Sequence, residues 1–121
     1  MNEISPKLQN QIAQFQQLQQ QLQSVLQQKF RMEAQLREVQ LTIDELGKSG
    51  EDAVIYRNVG SLLIKASDKA SVLKEVEDDK ETLEIRIKAL DRQEKAMRDK
   101  YNSMQEQLSK ALGQPAQADE N

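Results

Sequence analysis

Site chemistry needs side chains that donate, accept or coordinate in a cluster, and this chain offers few. It contains no Cys and no His, which excludes thiol nucleophiles, His general bases, disulfides and Cys/His zinc sites. Its most acidic run is Glu77, Asp78 and Asp79, three adjacent carboxylates of the kind that attract a hard cation. Consecutive residues on a helix point in different directions, so the three read as a solvated face rather than a metal site. The four Gly are separate turn residues, so there is no Gly-rich loop to cradle a phosphate. No catalytic residue, no metal ligand and no cofactor is expected, and the chain reads as a non-enzyme.

What the chain does hold is material for long helices. Of its 121 residues, 37% are hydrophobic, 31% charged and only 3% aromatic, too polar for a thick apolar interior. The length leaves room for one domain at most, and the dominant residues are the good helix formers Ala, Glu, Lys, Leu, Gln and Arg. A net charge of −3 argues against a nucleic-acid surface. The first residues, MNEISPKLQNQ, show neither the basic start nor the apolar stretch of a signal peptide. No apolar run approaches the roughly 20 residues of a membrane span. The expected location is cytoplasmic, with no membrane and no nucleic acid among the partners.

Punctuation divides the chain into parts. Ser5 before Pro6 is a helix start, an N-cap acceptor followed by a residue whose missing N–H is not needed there. Gly47 ends that helix, giving a first helix over about 6–47, roughly 60 Å long at 1.5 Å per residue. Ser67 or Asp68 caps a second helix over about 68–112, which Gly113 and Pro115 terminate. A β-hairpin occupies about 53–67 between them, and 113–121 is a flexible tail. In the second helix Leu73, Lys80, Ile87, Glu94, Tyr101 and Leu108 recur seven apart, with Val76, Leu83, Leu90, Met97, Met104 and Ala111 as companion row. Such a sustained heptad marks a coiled-coil seam. The first helix continues the pattern through Val25, Met32, Leu36, Val39, Ile43 and Leu46, with Lys29 breaking the row. Leu8, Ile12, Phe15 and Leu22 suggest a different phase, with a slip and a local distortion near Leu22–Leu26. Residues 9–28 contain eleven Gln, yet Ile12, Phe15, Leu18 and Leu22 recur through them at helical spacing, so helix is expected there also. Acid-before-base pairs at i,i+4 (Glu33–Arg37, Asp44–Lys48, Glu84–Lys88, Asp91–Lys95, Glu94–Arg98, Glu106–Lys110) each add about 0.3 kcal/mol to an exposed helix. The fold class is mainly α, two long helices packed as an antiparallel coiled coil around a central hairpin.

That hairpin is the least water-loving stretch of the chain. Val54, Ile55, Tyr56 and Val59, then Leu62, Leu63 and Ile64, are strand-forming residues interrupted by Gly60. A two-residue loop at Val59-Gly60 pairs Ile55 with Ile64, Arg57 with Leu62, Tyr56 with Leu63 and Val54 with Lys65. Both faces of the ribbon then carry apolar groups and both edges are unpaired, which in isolation is marginal and aggregation-prone. The expected resolution is that hairpins of several chains join into a sheet or barrel, so Val54, Ile55, Tyr56, Val59, Gly60, Leu62, Leu63 and Ile64 are the oligomerisation residues. An antiparallel arrangement also brings both chain ends together, with Ile4, Leu8, Ile12 and Phe15 near Tyr101, Met104, Leu108 and Leu112. Opening of that end exposes an adaptable apolar surface, to which Met contributes flexibility.

The succession of QNQIAQFQQLQQQLQSVLQQK, VIYRNVGSLLIKAS and LEIRIKALDRQEKAM resembles the β-class prefoldin subunits, archaeal ones above all, over nearly all of residues 5–112. A single hairpin insert is the β-class pattern; α-class subunits carry two. The resemblance implies an ATP-independent holding chaperone in which two α and four β subunits join their hairpins into a double β-barrel. It implies three kinds of partner: α-class subunits with other copies of this chain, unfolded polypeptide clients held at the tips, and a group II chaperonin that receives them. The competing expectation is a structural coiled-coil scaffold or tether, which needs neither a barrel-forming hairpin nor an exposed tip.

Overall fold

The structure, a computed structural model, describes residues 5–113; Ile4 and the tail from residue 114 lie outside them. Helix α1 spans Pro6–Lys48 and helix α2 spans Lys69–Ala111, 43 residues each. Between them strand β1 (Tyr56–Val59) pairs antiparallel with β2 (Leu62–Lys65). The helix starts follow from their caps. The Leu8 amide donates to the Ser5 hydroxyl at 3.1 Å, meeting one of the donors that a first turn leaves unpaired. Of the two candidate caps for α2 it is Asp68 that acts, its carboxylate accepting from the Ser71 amide at 2.6 Å. A carboxylate also suits the positive end of the helix, and the Ser71 amide holds the Asp68 carboxyl below its ordinary range. At the far end of α2, Gly113 takes a φ of +77° and donates its amide to the Lys110 carbonyl at 3.1 Å, the left-handed closure that Gly provides most readily.

The described chain forms two compact units. One joins residues up to Lys29 with those from Ala89 onward; the other is Phe30–Lys88. In the first unit Phe15 meets Tyr101 and Lys29 meets Glu94, so α1 rises as α2 descends, the antiparallel order. In the second, the Lys69 ammonium donates to the Ser49 carbonyl at 2.7 Å, fastening the start of α2 to the chain just past the end of α1.

Burial along both helices follows one unbroken heptad. On α2 every position of the two expected rows is buried or half-buried except Ala111. On α1 the protected residues are Leu8, Phe15, Leu22, Lys29, Leu36 and Ile43, with Gln11, Leu18, Val25, Met32, Val39 and Leu46 as companions. The expected slip near Leu22–Leu26 is therefore absent. It arose from placing Ile12 in the seam; Gln11 holds that position, and Ile12, also half-buried, packs alongside. A Gln can sit there because its methylenes lie along apolar surface while its amide stays near water. The six apolar side chains in the buried class are Leu18, Val25, Leu46, Val72, Leu90 and Leu108. All six are Leu or Val, and all but Val72 occupy seam positions, where such residues pack well.

Of the expected i,i+4 ion pairs, Glu94–Arg98 and Glu106–Lys110 form. Asp91 turns instead to Lys29 on α1. Lys48 pairs with Glu45, while Asp44 accepts from the Gln40 amide at 3.0 Å. Exposed pairs of this kind differ by only tenths of a kcal/mol (~0.3), so a better-placed partner easily displaces the expected one.

The hairpin register is two residues from the expected one. Tyr56 pairs with Lys65, Arg57 with Ile64, Asn58 with Leu63 and Val59 with Leu62, so the loop is Gly60-Ser61. Gly60 has φ +61°, and among the described residues none other than Gly has positive φ. Positive φ at the first loop position alone is the type II′ pattern, which wants Gly first rather than second and matches the twist of the strands. The shift leaves face membership unchanged, because the side-chain period is two. The Ala66 amide donates to the Ile55 carbonyl at 2.8 Å, extending the ladder below β1.

Replacing Gly60 by Ala forces a side chain into the φ +61° position. The substitution is expected to destabilise the hairpin by about 1–2 kcal/mol. The check is amide hydrogen exchange in β2, which should quicken relative to that of α1 and α2. Unchanged β2 exchange would contradict the turn assignment.

Candidate functional site

Two regions stand out, one in each unit. In the second unit the hairpin turns its apolar groups outward. Val54, Tyr56, Val59, Leu62, Leu63 and Ile64 are all exposed, Leu63 to 69%, and only Ile55, Arg57 and Ala66 of the hairpin are half-buried. Arg57 is held by a two-pronged contact with the Glu75 carboxylate on α2, which anchors β1 to that helix. Val59, Leu62 and Ile64 share the Arg57 face; Tyr56 and Leu63 share the other. Beside the ribbon an open groove of about 390 Å³ is lined by Leu41, Leu46, Ala53, Val54 and Ile55, with Glu38 and Glu45 among its polar residues. Single exposed apolar residues are ordinary, but a run of them on one two-stranded ribbon is not. Fully burying each large aliphatic is worth about 1.5–3 kcal/mol, and a two-stranded sheet has unpaired groups along both edges. The arrangement is suited to edge-to-edge pairing with other chains.

In the first unit lie the described residues expected at the client-binding end. The rings of Phe15 and Tyr101 stack with centroids 4.8 Å apart, and the Gln19 amide donates to the Tyr101 hydroxyl at 3.4 Å. Leu8, Ile12 and Met104 are half-buried, Leu108 is buried and Leu112, just past the end of α2, is 49% exposed. All of these but Leu112 are thus engaged in or beside the seam, so an apolar surface here requires the last turns to part.

Sequence reasoning missed a polar cluster in the same unit. The Lys29 ammonium lies 2.7 Å from Asp91 Oδ1 and 3.0 Å from Glu94 Oε1. The second oxygen of Glu94 accepts from Arg98 Nε at 2.7 Å. Lys29 and Glu94 are both row positions, opposite in charge, and that coincidence was the available signal. The Asp91 and Glu94 carboxylates, hydrogen-bonded to it, hold the Lys29 ammonium well above its ordinary value. Hydrogen bonds from Arg98 and then Lys29 hold the Glu94 carboxyl below its own. Such a seam pair adds little stability over apolar packing, but it specifies register. Sliding α1 by one heptad would put Ile87 or Tyr101 in the place of Glu94 and Glu84 or Arg98 in that of Asp91, so the ammonium would lose one or both of its carboxylate partners.

Glu77, Asp78 and Asp79 are all exposed, and among the described residues no three acids gather into a metal-holding group. Among those residues, too, no helix is long and apolar enough to cross a membrane.

A family model described as "Prefoldin subunit" matches residues 9–115. A "Prefoldin subunit beta" of Methanosarcina barkeri is 46% identical over 115 residues, covering 95% of this chain and 97% of that protein. One from Archaeoglobus fulgidus is 43% identical, with 96% and 99% covered. Among solved structures, the prefoldin beta subunit from Thermococcus strain KS-1 superposes with a TM-score of 0.82 at 38% identity, over 95% of this chain and all of that one.

The polar cluster makes the first unit acid-sensitive. Because the Glu94 carboxyl is depressed in the folded state, its contribution is present above the ordinary value of 4.5 and is lost as pH falls through the folded value. Lys29, raised rather than lowered, stays charged throughout that range. Thermal unfolding followed by circular dichroism should show the native chain losing stability below about pH 4.5. Glu94→Gln should start less stable at neutral pH and show a flatter acid profile; parallel profiles would remove Glu94 from this role.

Proposed function

The chain belongs to the prefoldin family, and on that premise we propose that it is a holding subunit that captures unfolded polypeptides without nucleotide chemistry and delivers them to a group II chaperonin. Family membership makes it a chaperone component rather than an enzyme, and one that assembles with other prefoldin subunits. The finer reading is an assembly with an α-class partner, two α and four β, working in the cytoplasm. The observation that carries it is the hairpin: six exposed large apolar side chains, Val54, Tyr56, Val59, Leu62, Leu63 and Ile64, on a ribbon with no further strand on either edge among the described residues. A tether made of two helices has no use for such a ribbon, whereas a hub made by several of them buries it.

Clients are held, on this reading, by Leu8, Ile12, Phe15, Tyr101, Met104, Leu108 and Leu112, together with Ile4. Parting of the last turns opens this set into an adaptable surface. Its groups are Leu, Ile, Met and two stacked aromatics, which can repack around different sequences. Leu112 is already open to solvent.

The assembly step is checked by the double substitution Leu63→Asp with Ile64→Asp, which places two carboxylates on the ribbon. Sedimentation of the mixture with an α-class subunit should show loss of the oligomer, while far-ultraviolet circular dichroism reports nearly unchanged helix. An oligomer of undiminished mass would remove the hairpin from the hub.

A further inference from the structure

Residues 8–28 of α1 contain no charged side chain, and eleven of them are Gln. All but Gln11 among these eleven are exposed. Among the described residues only Gln19 and Gln28 of the eleven use their side-chain amide within the protein, on Tyr101 and Ser24. In the same unit, residues 91–110 of α2 carry nine charged side chains, and all but Glu94 are exposed. One helix of the pair is thus coated with charge and the other with free primary amides. Helix formation does not explain the difference, since Gln, Glu and Lys have similar helix propensities.

We propose that the Gln-covered face of α1 is a binding surface for extended polypeptide, its side-chain amides exchanging hydrogen bonds with the backbone N–H and C=O groups of the bound chain. A primary amide both donates and accepts, so it can meet either backbone group and needs no particular sequence. Unfolded chains have backbone groups that no secondary structure satisfies. A charged face would select clients of opposite sign and would have to be desolvated at greater cost as the chain settled on it. The outward row Gln16, Gln20, Gln23 and Gln27 runs at helical spacing along this face, and the half-buried Ile12 and Leu26 lie beside the seam, offering apolar contact at its edge. The surface extends client capture well beyond the chain ends and makes it indifferent to client charge. It rests on the holding-chaperone reading.

The test uses the full chain assembled with an α-class subunit. Two labelled probes are reduced, carboxamidomethylated lysozyme, which is basic, and α-lactalbumin prepared likewise, which is acidic; binding is read by fluorescence anisotropy. One variant combines Gln16→Glu, Gln20→Lys, Gln23→Glu and Gln27→Lys, which keeps net charge and helical support. A second replaces the same four residues by Ala, removing the amides without adding charge. The native assembly should bind both probes with similar affinity, and both variants should bind them about tenfold more weakly, with mass and helicity unchanged. Native-like binding by both variants would overturn the amide surface while leaving the holding reading intact. Native-like binding by the Ala variant alone would also overturn it, since absence of charge rather than amide pairing would then be the operative property. Failure of the native assembly to bind either probe would overturn both readings together.

Discussion

Each helix of this chain has a single narrow apolar stripe, and among the described residues each stripe is buried against the other helix. That mutual burial is the constraint from which the rest follows. Helices of this polarity owe their stability mostly to packing of an amphipathic face rather than to propensity. The buried apolar side chains are a handful of Leu and Val, from Leu18 and Val25 on α1 to Leu90 and Leu108 on α2, spaced along the seam rather than gathered in a core. Because the stripes are consumed in pairing with each other, none is left over to cover the hairpin. The ribbon's exposure is thus a consequence of the seam: the two helices of the described residues leave no third layer to place on it.

The seam also decides where polar groups can be tolerated. Lys29 breaks the apolar row of α1 and Glu94 that of α2, and in the antiparallel register each supplies the other's partner. Register, which a uniform apolar stripe would leave free to slide by heptads, is thereby fixed at one point by charge. Elsewhere the two helices divide their outer surfaces differently, amide on α1 through residue 28 and charge on α2. Solubility can rest on the charged helix while the other keeps a surface free of electrostatic preference.

Most of this was legible from residue types. The caps at Ser5 and Asp68, the stops near Gly47 and Gly113, and the seven-residue spacing of Leu73 to Leu108 gave both helices to within a residue or two. The hairpin was legible from its β-branched residues and Gly60. What the residue types concealed were choices among partners. Gln11 holds a seam position that Ile12 seemed by hydropathy to claim, because a helix buries by angle and not by residue type. The two-residue loop was misplaced because Gly60 serves a II′ turn at its first position, although the faces of the ribbon survived the error through the period of two. Asp91 had an equally spaced Lys95 on its own helix, yet it pairs with Lys29 across the seam. A half-buried ammonium gains more from a partner than an exposed one does. The protection of Val72 outside the expected rows depends on neighbours that no single-helix pattern reveals.

The central claim is that this chain, in its assembly, keeps unfolded polypeptides from aggregating without nucleotide. The most direct measurement is light scattering from a chemically unfolded protein diluted into buffer lacking ATP. This chain is added alone and then with an α-class subunit. The account predicts suppressed scattering, strongest with the partner present and lost when the apolar residues at the chain ends are trimmed. Undiminished scattering in the presence of a verified oligomer of folded helices would contradict it, and would leave a coiled-coil scaffold in its place.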